Sequence, residues 1–474
     1  MAERIETDLC VLGAGSAGLS IAAAAAALGV RVILIEKARM GGECLNTGCV
    51  PSKALIAAAR AAQTVRAAAR FGVKASAPEV DFAAVSAHVQ SVVADISALD
   101  SRERFTALNV RVIQAEGRFV DKSTVEAGGV LIRARRFIIA TGSSPIIPPI
   151  PGLDTVAFLT NDSIFDVSDV PKRLLVIGAG ATGLELAQAF SVLGSDVTVI
   201  DAGLALAGVD REIAEVALAR MARDGIVIHE RTQVLRAERT GTGVRLVLAG
   251  GANETLDGSL LLIAAGRRAR IDGLNLDAGA IAWTREGLTL SSQLRSTTNK
   301  RVYAAGDVSG GPKLTSMAGY QAGLVIRQTL FRLRIRQRPQ LVPRAIYTDP
   351  EIATVGMSEE DARRHHRAIL VLRWPYSEND RARAERDIEG HMKIVAAKGG
   401  RILGAAIVGR QAGELISFWT LAISKGMKIQ DLRDVIMPYP TLSEISRRAS
   451  IAFFLPKLSS PWLRRLIKIL QSLG

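Results

Sequence analysis

Two stretches of the chain share one pattern of apolar and polar positions. The apolar run Asp8–Leu12 leads into Gly13-Ala14-Gly15-Ser16-Ala17-Gly18 and an alanine-rich segment, and a second run, Arg31–Ile35, ends at Glu36. The same order returns at Leu174: Leu-Leu-Val-Ile, then Gly178-Ala179-Gly180-Ala181-Thr182-Gly183, a longer apolar segment, the run Asp196–Ile200 and finally Asp201. Short apolar runs bounded by glycine predict buried strands, and the longer segments predict helices. Strand, glycine loop, helix, strand and acid together form the setting that a dinucleotide requires. The glycines permit a tight turn and close approach of a pyrophosphate, the helix N-terminus binds its charge, and the acid takes a ribose hydroxyl. Gly13, Gly15, Ser16, Ala17, Gly18 and Glu36 therefore form one candidate site, and Gly178, Gly180, Thr182, Gly183 and Asp201 a second. Two such sites imply two dinucleotides.

The rest of the pattern fills in around them. Helices are expected from the segment after Cys49 to about Arg70 and from Phe82 to Leu108, and strands at Arg111–Ile113 and Val130–Ile139. The second of these strands runs into Ala140-Thr141-Gly142-Ser143, and the Pro-rich stretch 145–151 reads as a linker. Leu261 to Gly266 predicts a closing strand and glycine turn, and Arg301–Asp307 a strand ending at a Gly-Asp turn. From Pro343 the composition changes. The fold class expected is α/β, with two Rossmann-type domains and a C-terminal α+β domain.

Composition narrows this picture. At 474 residues the chain should form two to four domains. Three cysteines argue against a secreted disulfide framework and for a reducing compartment. The 60 basic against 46 acidic residues give +14, but arginine is spread along the chain with no nucleic-acid motif, so no nucleic-acid partner is expected. The uncharged stretch Leu9–Val30 has the length of a membrane span, yet Gly13, Gly15 and Gly18 suit a nucleotide loop better than a lipid-facing helix. Glu3, Glu6 and Asp8 before it leave no basic signal-peptide region. A cytoplasmic protein is expected. Cys10, inside the first strand, reads as a small buried residue. At the other end, 461–473 reads PWLRRLIKILQSL, a basic amphipathic helix that suits either packing on its own dimer or peripheral contact with an anionic membrane at its inner face.

The remaining candidate chemistry lies in 41–53, GGECLNTGCVPSK. Pro51 suits the first turn of a helix, which puts Cys49 at the helix N-terminus, where the macrodipole favours a thiolate. Positions five apart diverge on a regular helix, so Cys44 is expected in an irregular turn before it. The residues alone allow a redox-active pair, a structural disulfide or a zinc half-site. The spacing is not that of a zinc C-x-x-C, and no second Cys/His cluster follows, so no metal ligands are expected.

This segment resembles the active-site signature of the flavoprotein disulfide reductases, which include dihydrolipoamide dehydrogenase, glutathione reductase and mercuric reductase. The likeness extends over residues 6 to 450, through the Ala140–Ser143 turn, the Asp307 motif, and Tyr347-Thr348-Asp349-Pro350-Glu351 with Val355-Gly356. It implies FAD on the first fingerprint and NAD(H), less readily NADP(H), on the second. Hydride would pass from NADH to FAD and on to a Cys44–Cys49 disulfide, with Cys49 nearer the flavin and Cys44 facing the substrate. Lys53 and Glu185 match the lysine and carboxylate beside the flavin, where an ammonium would stabilise the anionic reduced form. Gly117, Thr141, Gly142, Ser143, Gly266, Asp307, Leu314 and Thr315 complete the cofactor set implied. The domains implied are 1–149 for FAD with the redox pair, 150–268 for NAD(P), 269–338 returning to FAD, and 339–474 for homodimer formation.

Three departures stand out. Where relatives carry His-Pro-Thr-x-x-Glu, supplied by the partner subunit as acid and base, this chain has Tyr439-Pro440-Thr441-Leu442-Ser443-Glu444. A tyrosine of pKa about 10 is a poor base at neutral pH. Mercuric reductase also has a tyrosine there, and 185–190 and 412–416 resemble it, but that enzyme receives metal through a C-terminal cysteine pair, and no cysteine follows Cys49. The tail is the third. Asp201 followed by Ala202-Gly203 suits NADH, with Arg267-Arg268 the one pair that could reach a 2′-phosphate. The reading these residues favour is an NADH-linked, FAD-dependent disulfide reductase of the mercuric reductase-like branch with a small disulfide, metal-ion or quinone acceptor. Dihydrolipoyl dehydrogenase, a membrane-associated electron-transfer flavoprotein and a non-catalytic nucleotide-binding protein are the alternatives.

Overall fold

The computed structural model describes residues 3–241, 243–249, 254–455 and 460–473. The chain divides into two compact units, 1–204 with 226–339, and 205–225 with 340–474.

In the first unit, Glu3–Leu12 is the central strand of a largely parallel sheet. Val32–Glu36 and then Val110–Gln114 lie on one side of it, and Val130–Ile139 on the other. Val302–Ala304 pairs parallel with Val130–Ile139, which returns a distant stretch of chain to this sheet. Successive strand side chains point to opposite faces. Accordingly Leu9 and Val11 join the core with Ile21, Ala22 and Ala25 of the helix Ser16–Ala27. Cys10 and Leu12 join the opposite one with Phe119, Phe137 and Ile139. A strand buried on both faces reads as an unbroken apolar run, which accounts for the membrane-like stretch at Leu9–Val30. Burial also drives the Cys10 thiol pKa upward, as suits an inert packing residue.

A second parallel sheet orders Val227–His229, Asp196–Ile200, Arg173–Ile177, Leu260–Ile263 and Leu159–Thr160. The two connections to it meet: Ser143–Pro145 pairs antiparallel with Arg267–Ala269, so the Pro-rich linker starts from a fixed two-stranded ribbon. One expected helix is interrupted. Phe82–Ser97 gives way to a tight turn, and Ser101, extended at φ −70° and ψ 155°, caps a new helix at Arg102–Ala107 by accepting from the Arg104 N–H at 3.3 Å. Residues 82–107 are long and apolar enough to cross a membrane by length and composition alone. Here Phe82–Ser97 packs along Cys49–Ala67.

The second unit is a five-stranded antiparallel sheet ordered Arg344–Ile346, Ile352–Gly356, Ile402–Val408, His391–Ala397 and Ile369–Pro375. The helices Ala412–Ser424 and Glu444–Ala452 contribute to its core through Ile416, Trp419 and Ile445. The helix Arg211–Arg223 clusters with this sheet, although the boundary expected at 150–268 assigns it to the nucleotide-binding segment. Its first turn explains why: the Lys393 ammonium, 4% exposed, lies 2.7 Å from Asp210, 2.9 Å from Glu212 and 2.7 Å from Glu359. A buried lysine requires such partners, and two of them sit at this helix start.

Candidate functional site

Both glycine loops adopt the geometry their sequence calls for. Gly13 has φ +104°, and a Cβ there would fall 2.4 Å from the Ala140 carbonyl oxygen. A Cβ on Gly42 would fall 2.6 Å from the Gly15 Cα, so the cysteine-bearing turn lies against the first loop with no side chain between them. Gly15 and Gly180 precede the helices Ser16–Ala27 and Ala181–Val192 with no side-chain cap and no acidic residue in either first turn. Two helix starts kept clear of side-chain acceptors fit a pyrophosphate. Ser16, Ala17 and Gly18 lie in the first of these turns, and Thr182 and Gly183 in the second. Glu36 accepts from the Ala14 N–H at 2.7 Å, and Asp201 from that of Ala179 at 2.7 Å, so each acid stands across its own loop.

The cysteine segment is built differently from the expectation in one respect. Cys44 is not in an irregular turn: it lies on a short helix, Gly42–Asn46, preceded by Gly41 at φ +88°. Thr47 and Gly48 then redirect the chain, and Asn46 locks the turn by donating to the Met40 and Gly42 carbonyls at 2.9 and 2.8 Å. A Cβ on Gly48 would lie 2.6 Å from the Glu43 carboxylate and 3.0 Å from the Glu43 carbonyl oxygen, so the turn packs closely on Glu43. The helix Cys49–Ala67 begins at Cys49 itself, with Pro51 in its first turn.

Thr315, at the start of the helix Thr315–Thr329 and after Leu314, joins the two sulfurs. Its hydroxyl donates to Cys44 Sγ at 3.2 Å and lies 3.3 Å from Cys49 Sγ. The hydrogen bond from Cys44 is the main influence bringing the Cys49 thiol down to about 6, with Thr315 and the Lys53 ammonium adding to it against burial. The same bond, then burial, pushes Cys44 up. One helical turn after Cys49, Lys53 Nζ lies 2.7 Å from Glu185 Oε2, whose side chain is only 7% exposed.

A polar cluster adjoins the pair. Ser143 donates to Asp307, uniting two of the expected cofactor residues. Arg267 donates to Ser143 Oγ at 2.8 Å and to Asn161 Oδ1 at 2.8 Å, and lies 3.4 Å from Glu43. Of the Arg267-Arg268 pair offered for a 2′-phosphate, Arg267 has its guanidinium engaged here, and Arg268, exposed, lies 3.3 Å from Asp272. Burial raises the Glu43 carboxyl to about 7 against the pull of Arg267. Glu43 and Asn161 went unnoticed in the sequence; the one signal was an acid directly before Cys44. Thr141 donates to the Arg270 carbonyl at 2.6 Å, and Gly142 and Gly266 hold φ +74° and +108°. Gly117 is packed against Ile35 and Leu12, where a Cβ would sit at 3.2–3.3 Å.

The remaining candidates belong to the second unit. Tyr439 is 69% exposed, and its hydroxyl donates to Asp380 at 3.1 Å, a bond that raises its pKa further. Glu444 opens the helix Glu444–Ala452.

A dithiol at a helix start, a lysine paired with a buried glutamate beside it and two dinucleotide loops define a two-nucleotide redox enzyme. The chain belongs to the pyridine nucleotide-disulphide oxidoreductase family, whose model matches residues 7–322 and whose dimerisation domain matches 342–450. Members are enzymes that bind FAD and use NAD(P)H. The chain is 34% identical over 449 residues to mercuric reductase from Lysinibacillus sphaericus, covering 94% of this chain and 82% of that one. It is 34% identical over 454 residues to dihydrolipoyl dehydrogenase from Geobacillus stearothermophilus, covering 94% and 96%. Among solved structures, the Cu(II) complex of the HOCl-induced flavoprotein disulfide reductase RclA from Escherichia coli is similar, with TM-score 0.84 and 26% identity over 94% of this chain and 99% of that one.

Proposed function

We propose that this enzyme passes electrons from NADH through FAD to the Cys44–Cys49 pair and on to a small acceptor, in the manner of the mercuric reductase-like branch, as a homodimer formed through residues 342–450. The observation that carries the reading is the single Thr315 hydroxyl contacting both sulfurs, with Lys53–Glu185 one turn along the helix. The first glycine loop, Gly13–Gly18, with Glu36, Ser143 and Asp307 would hold FAD, and Gly178–Gly183 with Asp201 would hold the nicotinamide nucleotide. FAD bound there supplies the two-electron relay between nucleotide and dithiol.

The residues of this chain divide the remaining work. Cys49 stays a thiolate at neutral pH, and Cys44 keeps its proton until an acceptor arrives. As Cys44 attacks a disulfide acceptor, its proton passes along the existing hydrogen bond to Cys49, which serves as the base that Tyr439 cannot be. Attack of Cys49 on the mixed disulfide then closes Cys44–Cys49 and passes that proton to the departing sulfur, so the reduced acceptor leaves as one thiol and one thiolate, which takes its proton from water. With thiophilic metal ions as acceptor, the pair transfers two electrons to the metal, releases the single proton of Cys44 and closes to the same disulfide. Asp201, followed by two residues without cationic side chains, favours the NADH 2′-hydroxyl over a 2′-phosphate.

A dihydrolipoyl dehydrogenase reading is favoured by the relatives of that name and opposed by Tyr439. Purified enzyme tested with NADH against lipoamide, glutathione disulfide, Hg(II), Cu(II) and quinones separates the two. Turnover confined to lipoamide would replace the first reading.

A further inference from the structure

The helix Pro461–Gln471 contains no buried residue. At about 100° per residue, Trp462, Leu463, Leu466, Ile469, Leu470 and Leu473 fall within an arc of roughly 120°. Arg464, Arg465 and Lys468 fall within roughly 100° on the opposite side. Trp462 is 70% exposed and Leu473 77%. An apolar stripe of this kind needs a cover, and charge indicates which one. Residues 445–474 contain Arg447, Arg448, Lys457, Arg464, Arg465 and Lys468 and no Asp or Glu, on a chain whose net charge is already +14. So basic a segment, without a carboxylate of its own, is attracted to an anionic surface.

We infer that residues 461–473 bind the surface of an anionic lipid bilayer, with the helix lying in the plane of the interface. Trp462 and the leucines enter the boundary between headgroups and acyl chains. Arg465, on the border of the apolar stripe, extends its stem back toward the headgroups, as long cationic side chains do, while Arg464 lies farther round the helix. Lys468, opposite the stripe, adds to the attraction of the anionic surface. The inference is independent of which acceptor the dithiol serves.

The experiment uses the full-length, FAD-loaded enzyme and vesicles of phosphatidylcholine, alone or mixed with phosphatidylglycerol. The enzyme should sediment with the mixed vesicles, less so at high salt, and much less with phosphatidylcholine alone. Each cation near an anionic surface strengthens binding about fivefold, so replacing Arg464, Arg465 and Lys468 with Gln should weaken it by about 100-fold. Leu466→Glu should abolish binding while every cation remains. Loss of the blue-shifted component of tryptophan emission in Trp462→Phe would report insertion. NADH-driven ferricyanide reduction, expected unchanged in every variant, verifies the loaded fold separately from vesicle binding. Failure to sediment with mixed vesicles, equal binding to neutral ones, or binding that survives removal of residues 460–474 overturns the inference. So does a change of oligomeric state on that removal without vesicle binding, which would make a second copy the cover.

Discussion

The Thr315 hydroxyl offers the sharpest test of the redox centre, because it lies 3.2 Å from Cys44 Sγ and 3.3 Å from Cys49 Sγ, can turn its single proton to either sulfur, and carries no charge of its own. Thr315→Val removes the donor with almost no change of volume. A hydrogen bond to a charged group contributes about 1.5–3 kcal/mol, and each pKa unit corresponds to about 1.36 kcal/mol, so a full loss would raise the Cys49 thiol by about 1–2 units. Cys49 is exposed, and water replaces part of the lost bond, so the lower end applies. The sign is that of an acid whose pKa is depressed: the thiolate persists as pH falls from 9 and disappears as pH passes through the native value of about 6.

In the two-electron-reduced enzyme, the long-wavelength thiolate-to-flavin absorbance should therefore titrate away with a midpoint near 6. In Thr315→Val the midpoint should move up by about one unit, and Thr315→Ser, which keeps the hydroxyl, should restore it. Cys49→Ser should lack the band at every pH, whereas Cys44→Ser should retain it. Anaerobic titration with stopped-flow detection measures all four. A native midpoint near the ordinary thiol value of 9.0, or a band that persists in Cys49→Ser, would refute the reasoning.

Three further outcomes are expected. Steady-state kcat/KM should favour NADH over NADPH, and Asp201→Ala should narrow the gap by about 10-fold or more, the loss of one charge-assisted hydrogen bond; a native preference for NADPH would contradict the assignment. Lys53→Met leaves the buried Glu185 carboxylate without its ammonium partner, and should destabilise the protein by about 1–3 kcal/mol, below the usual range for a buried pair because Lys53 is partly exposed. Calorimetry should show a lower Tm, with recovery in the Lys53→Met, Glu185→Gln double variant. Tyr439→His should raise lipoamide turnover at least about tenfold, since positioned bases contribute ~10²–10⁴-fold; robust native turnover, unaltered by this change, would place the base elsewhere.

What was legible in the sequence was local. Gly13 to Gly18, Gly178 to Gly183 and Cys44 to Cys49 each fold within a few residues, where hydrogen bonding and glycine geometry decide the outcome before tertiary packing does. Lys53 and Glu185 lie 132 positions apart, and only the family resemblance joined them. The Arg267 contacts to Ser143, Asn161 and Glu43 join chain segments more than 100 positions apart, with no periodicity to announce them. The same limit explains the helix Arg211–Arg223: its apolar stripe says that it packs, but only the buried Lys393 identifies the sheet it packs on.

The two nucleotide loops agree more closely than their sequences require. Gly13 and Gly178 each donate their backbone N–H to a carbonyl of the neighbouring strand, Ile35 and Ile200 respectively, at 2.8 Å. A Cβ on Gly18 or Gly183 would fall 1.9 Å from the carbonyl oxygen of Gly13 or Gly178, respectively. A shared backbone cannot distinguish one dinucleotide from another. The distinction must come from side chains around the loops, and there the two sites diverge. The first loop lies against the Gly41-Gly42 turn, so whatever it binds adjoins the cysteines. The second is followed by Asp201-Ala202-Gly203, where Asp201 also accepts from the Gly203 N–H at 2.7 Å. That bond keeps a carboxylate, and no cation, at the ribose end of the second site. On the proposed assignment, one scaffold used twice would acquire two functions from its surroundings: the first loop would serve the nucleotide that stays beside the dithiol, the second the nucleotide that delivers hydride and leaves.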